Sequence, residues 1–271
     1  MDLADLTLTQ EPYGTPARLQ ARIAVHAFGR HDAEDFHAWV WRRAGLPASL
    51  PEDAAVLEVG VGTARMWATM AGRIPAGWRL TLSDRSPGMM AAARAALDAL
   101  GRQATCLVAD ADALPFDDGA FDLVFANHML YHVPDLPRAV AELRRVLRPG
   151  GRLVAATNGD AHLQELAEAL RDLRAAGPDV RVDLPHRLSF TLENGAATLR
   201  AAFDDVERHD REDELLLDDA ELIVRYLLSM TYAPDTATAR ALTGRARALV
   251  AARLVAGPMR VRRVSGVFVA S

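Results

Sequence analysis

One segment constrains the fold of this chain more than any other: residues 56–64, with the sequence VLEVGVGTA. A short, continuous apolar run is typical of a parallel strand that is buried on both faces. Gly60 and Gly62 follow this run, and glycines permit positive φ and let a ligand lie close to the backbone. The segment therefore predicts a first strand carrying the acid Glu58, a ligand-binding turn and the start of a helix.

Strand and helix patterns alternate along the chain after this turn. We predict further strands over 78–83, 105–109, 121–126 and 152–157, and helices over 63–71, 87–100 and 136–147. Alternation of this kind is typical of a mostly parallel sheet with helices on both faces. The predicted fold class is α/β, doubly wound. Because no linker or repeat interrupts residues 1–271, we expect a single domain.

Composition excludes several functional classes. The chain has 271 residues and a net charge of −5, so it lacks the basic surface typical of nucleic-acid binders, and no nucleic-acid partner is expected. No run of 18 apolar residues indicates a membrane span, and the acidic, proline-interrupted start is unlike a signal peptide. We therefore expect a cytoplasmic protein with no membrane partner; a homo-oligomer stays open.

Every one of the 31 basic residues is arginine. A Walker-type phosphate loop needs a lysine, and a pyridoxal enzyme needs one for its Schiff base. Both classes are excluded. The scattered histidines and the single cysteine, Cys106, have no spacing typical of a zinc site, so we expect no metal.

Polar residues follow the predicted strands at the edge where open α/β sheets bind ligands. Asp84 follows the second strand, where a carboxylate can accept two ribose hydroxyls, and Asp110 follows the third, where it can accept from an exocyclic amine. Asn127 and His128 follow the fourth. Acids thus follow one another at the ends of the first three strands: Glu58, Asp84 and Asp110. This order favours a shared nucleoside site over three acids with unrelated roles in turns.

A dinucleotide such as NAD is the competing ligand. Its fingerprint needs a third glycine, but Arg65 stands at that position here. An acid within the motif, Glu58, suits an ammonium-bearing ligand better than a pyrophosphate. These differences favour S-adenosylmethionine.

The chain resembles the class I S-adenosylmethionine-dependent methyltransferases, in particular the small-molecule type of the ubiquinone/menaquinone methyltransferase group. The resemblance is carried by VLEVGVGTA (56–64), LSDRSPGMM (82–90), ADADALPF (109–116), FDLVFANHMLYHV (121–133) and ELRRVLRPGGRLV (142–154). It implies a seven-stranded Rossmann-like sheet with an antiparallel last strand over 259–270. It also implies a helical cap, formed by an N-terminal arm (1–45) and an insertion (158–201), around a core of 50–157 plus 203–271.

The resemblance also implies a set of cofactor-binding residues, with S-adenosyl-L-methionine as the methyl donor and S-adenosyl-L-homocysteine as its product. The methionine end would be held by Glu58, Gly60, Gly62 and the Asn127 backbone, and the methionine carboxylate by Tyr13 with Arg18 or Arg22. The ribose would be bound by Asp84, beside Arg85. One adenine face would be covered by Met89, and the adenine edge would be bound by Asp110 and the Ala111 N–H. Ala64 replaces the family's third glycine, a mild departure.

Residues after the fourth strand are the candidates for catalysis. His128, Tyr131 and His132 would face the transferred methyl group, and a histidine there suits a general base for a protonated acceptor. His186 in the cap insertion is a further candidate. The predicted activity is methyl transfer to a small organic acceptor, a metabolite or natural product. A cyclase built on this fold and a non-catalytic cofactor-binding protein are the alternatives.

Overall fold

The computed structural model describes residues 16–28, 34–175, 181–182 and 188–271. Tyr13 and His186 lie outside these ranges, so their suggested roles stay predictions. The elements of the described residues are these: α1 (Pro16–Ala24), α2 (Phe36–Arg43), β1 (Ala55–Val59), α3 (Arg65–Thr69), β2 (Arg79–Asp84), α4 (Pro87–Ala99), β3 (Thr105–Val108), β4 (Phe121–Asn127), α5 (Leu136–Val146), β5 (Leu147–Asn158), α6 (Gln164–Ala175), β6 (Arg181–Val182), α7 (Gly195–Leu199), β7 (Val206–Leu217), α8 (Ala220–Ser229), β8 (Thr231–Tyr232), α9 (Thr236–Leu254) and β9 (Met259–Ala270).

Seven strands form one sheet in the order β3-β2-β1-β4-β5-β9-β7. The strands from β3 to β5 pair in parallel, and β9 pairs antiparallel with β5. The α/β fold class and the antiparallel last strand are therefore confirmed. The chain order reverses beside β1, where β2 lies on one side and β4 on the other, which is the switch point at which such sheets bind ligands.

Two elements begin two or more residues away from the predicted position. The first helix begins at Arg65 rather than at residue 63 because Ala64 has a left-handed backbone (φ 56°, ψ 30°), which a right-handed helix cannot include. The fifth strand begins at Leu147, five residues earlier than predicted, and its pairing with β4 shifts register between Phe121 and Leu123.

The chain divides into two compact units. The first comprises residues 1–33, 161–187 and 212–264, and the second comprises residues 34–160, 188–211 and 265–271. In the first unit, α6, α8 and α9 enclose a core that includes Leu170, Leu227 and Val250. The expected single domain, and the cap of residues 1–45 and 158–201, stay predictions.

The second unit contains the carboxyl ends of β1, β2, β3 and β4. Its core packs Trp41, Trp67 and Phe125 together, and all three side chains are fully buried. The ring centroids of Trp41 and Phe125 lie 6.3 Å apart, and those of Trp67 and Phe125 lie 6.0 Å apart in an edge-to-face arrangement. Such dense aromatic packing beneath the switch point makes a firm base for a site.

Candidate functional site

The turn after β1 can be built only around glycine at its first position. Gly60 has φ +68°, and a Cβ placed there would lie 2.6 Å from the Cβ of Met129. Gly62 also has positive φ, at +57°. Ala64 has a left-handed backbone (φ 56°, ψ 30°) at the position where the resemblance implies a third glycine. The turn therefore brings bare backbone to the ligand-binding edge of the sheet.

Asp84, at the end of β2, is tied to this turn through its carboxylate. Its Oδ2 accepts from the Gly62 backbone N–H at 2.9 Å, and its Oδ1 accepts from the Ser86 N–H at 2.9 Å. Each carboxylate oxygen has a second lone pair, so both can accept one more hydrogen bond. The side chain is held in place with capacity left for two hydroxyl donors, as the ribose role of Asp84 requires.

Glu58 is a buried carboxyl group directly below the turn, with only 3% of the residue exposed. The Trp67 indole N–H donates to Oε2 at 2.5 Å, and the Asn127 amide Nδ2 donates to Oε1 at 2.9 Å. Burial is the main cause that raises the pKa of Glu58 from 4.5 to about 7; the nearby Asp84 charge acts in the same direction, and the hydrogen bonds from Asn127 and Trp67 oppose the rise. Glu58 therefore titrates near neutral pH.

Asn127, the last residue of β4, has one side-chain atom without a hydrogen-bond partner among the described residues. Its Nδ2 donates to Glu58 and lies 3.3 Å from Met66 Sδ. Its Oδ1 is buried and accepts no hydrogen bond from the residues that the structure describes. A buried acceptor without a partner is costly, so this atom suits a ligand that brings hydrogen-bond donors. The chemistry of this set of acceptors fits an ammonium group.

The remaining predicted cofactor residues lie in the same unit at the corresponding strand ends. Asp84 pairs with Val108 in the parallel register, which puts Asp110 two residues beyond β3 beside the end of β2. Asp110 is exposed and Ala111 is buried, whereas Arg85 points to solvent. Met89 is half-buried in the first turn of α4, and its N–H is capped by Ser86 Oγ at 3.3 Å. Their contacts with a cofactor stay predictions.

The predicted catalytic residues follow β4 directly. His128 has a left-handed backbone (φ 53°), and its N–H donates to the Ala156 carbonyl at 2.9 Å, which extends the pairing with β5. A non-glycine residue in this region costs roughly 1–3 kcal/mol and occurs most often at functional sites. The imidazole packs against Phe36, with 5.2 Å between ring centroids, and the rings of Tyr131 and His132 lie 4.5 Å apart.

Three residues of this region were not predicted from the sequence: Trp67, Met129 and Phe36. Each contacts a predicted residue, since Trp67 binds Glu58, Met129 covers Gly60 and Phe36 packs on His128. Only Trp67 had a usable signal, because a tryptophan in a core helix needs an acceptor for its N–H.

Arg18, one of two arginines suggested for the methionine carboxylate, has another partner in the first unit. It is 1% exposed, and its Nη1 donates to the carbonyls of Thr231 at 2.8 Å and Ser229 at 3.3 Å. The Ser229 carbonyl belongs to the last residue of α8 and the Thr231 carbonyl to β8, so the guanidinium links the end of that helix to the strand that follows it. These contacts give Arg18 a structural role, and its suggested role at the methionine carboxylate stays a prediction. The second suggested arginine, Arg22, has its Nη1 atom 3.6 Å from Met230 Sδ.

The described residues hold neither a candidate metal cluster nor a candidate membrane span. No cluster of three or more histidine, cysteine, aspartate or glutamate side chains there could hold a metal ion. Among the helices in those ranges, none has the length and apolar character needed to span a bilayer.

Sequence comparisons place the chain among known proteins. A family profile described as a methyltransferase domain matches residues 57–155. A malonyl-[acyl-carrier protein] O-methyltransferase of Erwinia pyrifoliae is 32% identical over 202 residues, which cover 70% of this chain and 74% of that protein. The chain belongs to the class I S-adenosylmethionine-dependent methyltransferase family. The resemblance stated from the sequence motifs is therefore confirmed.

Other members of the family match over shorter segments. The chain is 40% identical over 166 residues to a malonyl-[acyl-carrier protein] O-methyltransferase of Geobacter sulfurreducens, covering 60% of each protein. It is 39% identical over 115 residues to a demethylmenaquinone methyltransferase of Thermus thermophilus, covering 42% of this chain and 52% of that enzyme. The chain thus spans between half and two thirds of the length of these two relatives.

Solved structures share the fold at low sequence identity. YcgJ of Bacillus subtilis is 18% identical, with a TM-score of 0.58 over 86% of this chain and 97% of that one. The [4+2]-cyclase SpnF is 19% identical, with a TM-score of 0.57 over 94% of this chain and 93% of that one. These likenesses confirm the fold class of this methyltransferase-family chain.

Proposed function

We propose that this protein transfers a methyl group from S-adenosylmethionine to a small organic acceptor. The observation that carries the proposal is the pair of carboxyl groups at the ends of β1 and β2. Glu58 lies buried under the glycine turn, and Asp84 is hydrogen-bonded to that turn at Gly62. One suits the ammonium end of the donor and the other its ribose, and family membership supports both assignments.

The protein's contribution to the reaction is to hold the reactants rather than to activate the donor. When bound, S-adenosylmethionine supplies a methyl group on a positively charged sulfur. Asp84 would fix the ribose hydroxyls, and the turn at Gly60 would let the methionine portion lie against the backbone. Correct placement at near-attack distance can account for a large share of the rate enhancement in such a displacement.

The acceptor side is proposed to be formed by His128, Tyr131 and His132. The left-handed backbone of His128 and its packing on Phe36 hold the imidazole at the carboxyl end of β4. There it would accept a proton from an acceptor that arrives protonated, such as a hydroxyl. Two relatives are named for methyl transfer to malonyl-[acyl-carrier protein] and to demethylmenaquinone, which supports carboxyl-bearing and phenolic acceptors as the first to be assayed.

Two measurements test this proposal. Titration calorimetry with S-adenosylhomocysteine tests the binding site, and we expect Asp84→Asn to weaken binding by about 10- to 100-fold, since a charge-assisted bond to a hydroxyl is lost. Asp117→Asn, at an exposed turn residue, is the matched control and should bind like the unmodified protein.

A methyl-transfer assay with radiolabelled S-adenosylmethionine, run against a panel of carboxylic acids and phenols, tests the activity. Labelled product with stoichiometric S-adenosylhomocysteine supports the proposal. Turnover of an acceptor without S-adenosylhomocysteine would instead identify a cyclase or another tailoring enzyme, and binding without turnover across the panel would favour a non-catalytic cofactor-binding protein.

A further inference from the structure

The arrangement around Glu58 suggests that cofactor binding and proton release are coupled. We infer that binding of the donor's amino-acid portion expels a proton from the Glu58 carboxyl group to solvent, and that Trp67 and Asn127 are the positioning residues that hold the resulting carboxylate. This inference rests on the proposed function, because it needs an ammonium-bearing ligand at the turn after β1.

The side chains around Glu58 can form hydrogen bonds with both its ionised and its protonated form. The two donors, Trp67 Nε1 at 2.5 Å and Asn127 Nδ2 at 2.9 Å, each bind a different carboxylate oxygen, so the ionised form is held from two sides. A protonated Glu58 has an O–H to donate, and the buried, unpartnered Asn127 Oδ1 becomes its acceptor if the amide rotates by half a turn. Asn127 can therefore serve either form.

The charges that face Glu58 favour the protonated form when no ligand is bound. Trp67 and Met66 reach it from α3 and Asn127 from β4, and all three are neutral. The charged neighbour is Asp84 on β2, which repels the carboxylate, and burial acts in the same direction. With a pKa of about 7, Glu58 is about half protonated at neutral pH in the free protein.

A ligand ammonium reverses this balance. An opposite charge within about 4–6 Å favours the ionised form of a carboxyl group, and direct contact is unnecessary. The low-dielectric surroundings of a group only 3% exposed strengthen the effect. A bound ammonium therefore makes Glu58 give up its proton, and cofactor affinity rises with pH until Glu58 is already ionised in the free protein.

Two ligands separate proton release from binding of the nucleoside. S-adenosylhomocysteine carries the amino-acid portion, whereas 5′-methylthioadenosine keeps the adenosine and the thioether but has no ammonium. Calorimetric titrations in two buffers that differ in ionisation enthalpy, both chosen to buffer at the pH of the experiment, report the number of protons released. For S-adenosylhomocysteine we expect about 0.5 proton at pH 7, close to 1 at pH 6 and close to 0 at pH 8.5. For 5′-methylthioadenosine we expect none.

Variants identify the source of the proton. Glu58→Gln should release none with S-adenosylhomocysteine. Trp67→Phe keeps an aromatic side chain but removes one donor to the carboxylate, so the pH midpoint of proton release should rise by about one unit. This second variant decides the matter if the glutamine variant no longer binds.

The outcomes are distinguishable. If S-adenosylhomocysteine does not bind the unmodified protein, the proposed function fails. If it binds without proton release, if 5′-methylthioadenosine releases as many protons, or if Glu58→Gln releases the same number, the proposed function stands and the inference is overturned. An unchanged midpoint in Trp67→Phe overturns the positioning role of that residue.

Discussion

The buried carboxyl group of Glu58 should make the stability of the protein depend on pH even without a ligand. Its pKa is raised from 4.5 to about 7, so the folded state binds this proton more tightly than the unfolded chain. The contribution of Glu58 to the free energy of unfolding is therefore fully present below pH 4.5 and is lost as pH rises to 7. The total loss is about 3.4 kcal/mol, of which about 2.5 kcal/mol falls between pH 5 and pH 8.

Urea unfolding of the unmodified protein and of Glu58→Gln at pH 5, 6, 7 and 8 isolates this contribution. Glutamine is close in shape to the protonated acid and does not titrate, so every other group cancels in the difference between the two proteins. We expect the free energy of unfolding of the unmodified protein to fall relative to that of the variant by about 2.5 kcal/mol over this range. A difference that stays constant within 0.5 kcal/mol, or that rises with pH, would refute the reasoning.

Further predictions concern the turn, a connecting loop and a helix end. Gly60→Ala should cost about 2–4 kcal/mol of stability and abolish S-adenosylhomocysteine binding, because its Cβ would collide with Met129 at positive φ; Gly72→Ala, where the Cβ meets open space, should change thermal stability by less than about 1 kcal/mol. Arg145→Lys should cost about 1–3 kcal/mol in urea unfolding, because the guanidinium bridges two carbonyls and two carboxylates between α5 and the loop before β4; a loss below 0.5 kcal/mol would contradict this. Arg18→Met should cost about 2–4 kcal/mol in urea unfolding because the Ser229 and Thr231 carbonyls lose their donor, and a variant as stable as the unmodified protein would show that these bonds are dispensable.

Local patterns in this chain were sufficient to predict the five strands β1 to β5, whereas the antiparallel β9 was implied by the family resemblance. The apolar run before Gly60 and the acid after β2 each carry their structural meaning within a few residues. Gly60, for example, has the positive φ (68°) that a glycine at such a turn permits. The elements from β1 to β5, whose ends such signals mark, were predicted to within a few residues, although β5 begins earlier than its apolar core.

The partners of the site residues could not be predicted in the same way. Trp67 and Asn127 meet Glu58 from 9 and 69 residues away, and this pairing depends on how α3 and β4 pack rather than on any local pattern. Arg18 shows the same limit, since its acceptors lie more than 200 residues along the chain. A lone arginine in a helix gives no sign of whether it binds a ligand or caps another helix.

The most direct test of the account is a crystal structure of the protein grown with S-adenosylhomocysteine. We expect the ligand beyond the ends of β1, β2 and β3, with both ribose hydroxyls bound by Asp84 and the ammonium group on the Glu58 side of the Gly60 turn. A ligand bound elsewhere, or one whose ribose does not contact Asp84, would contradict the account.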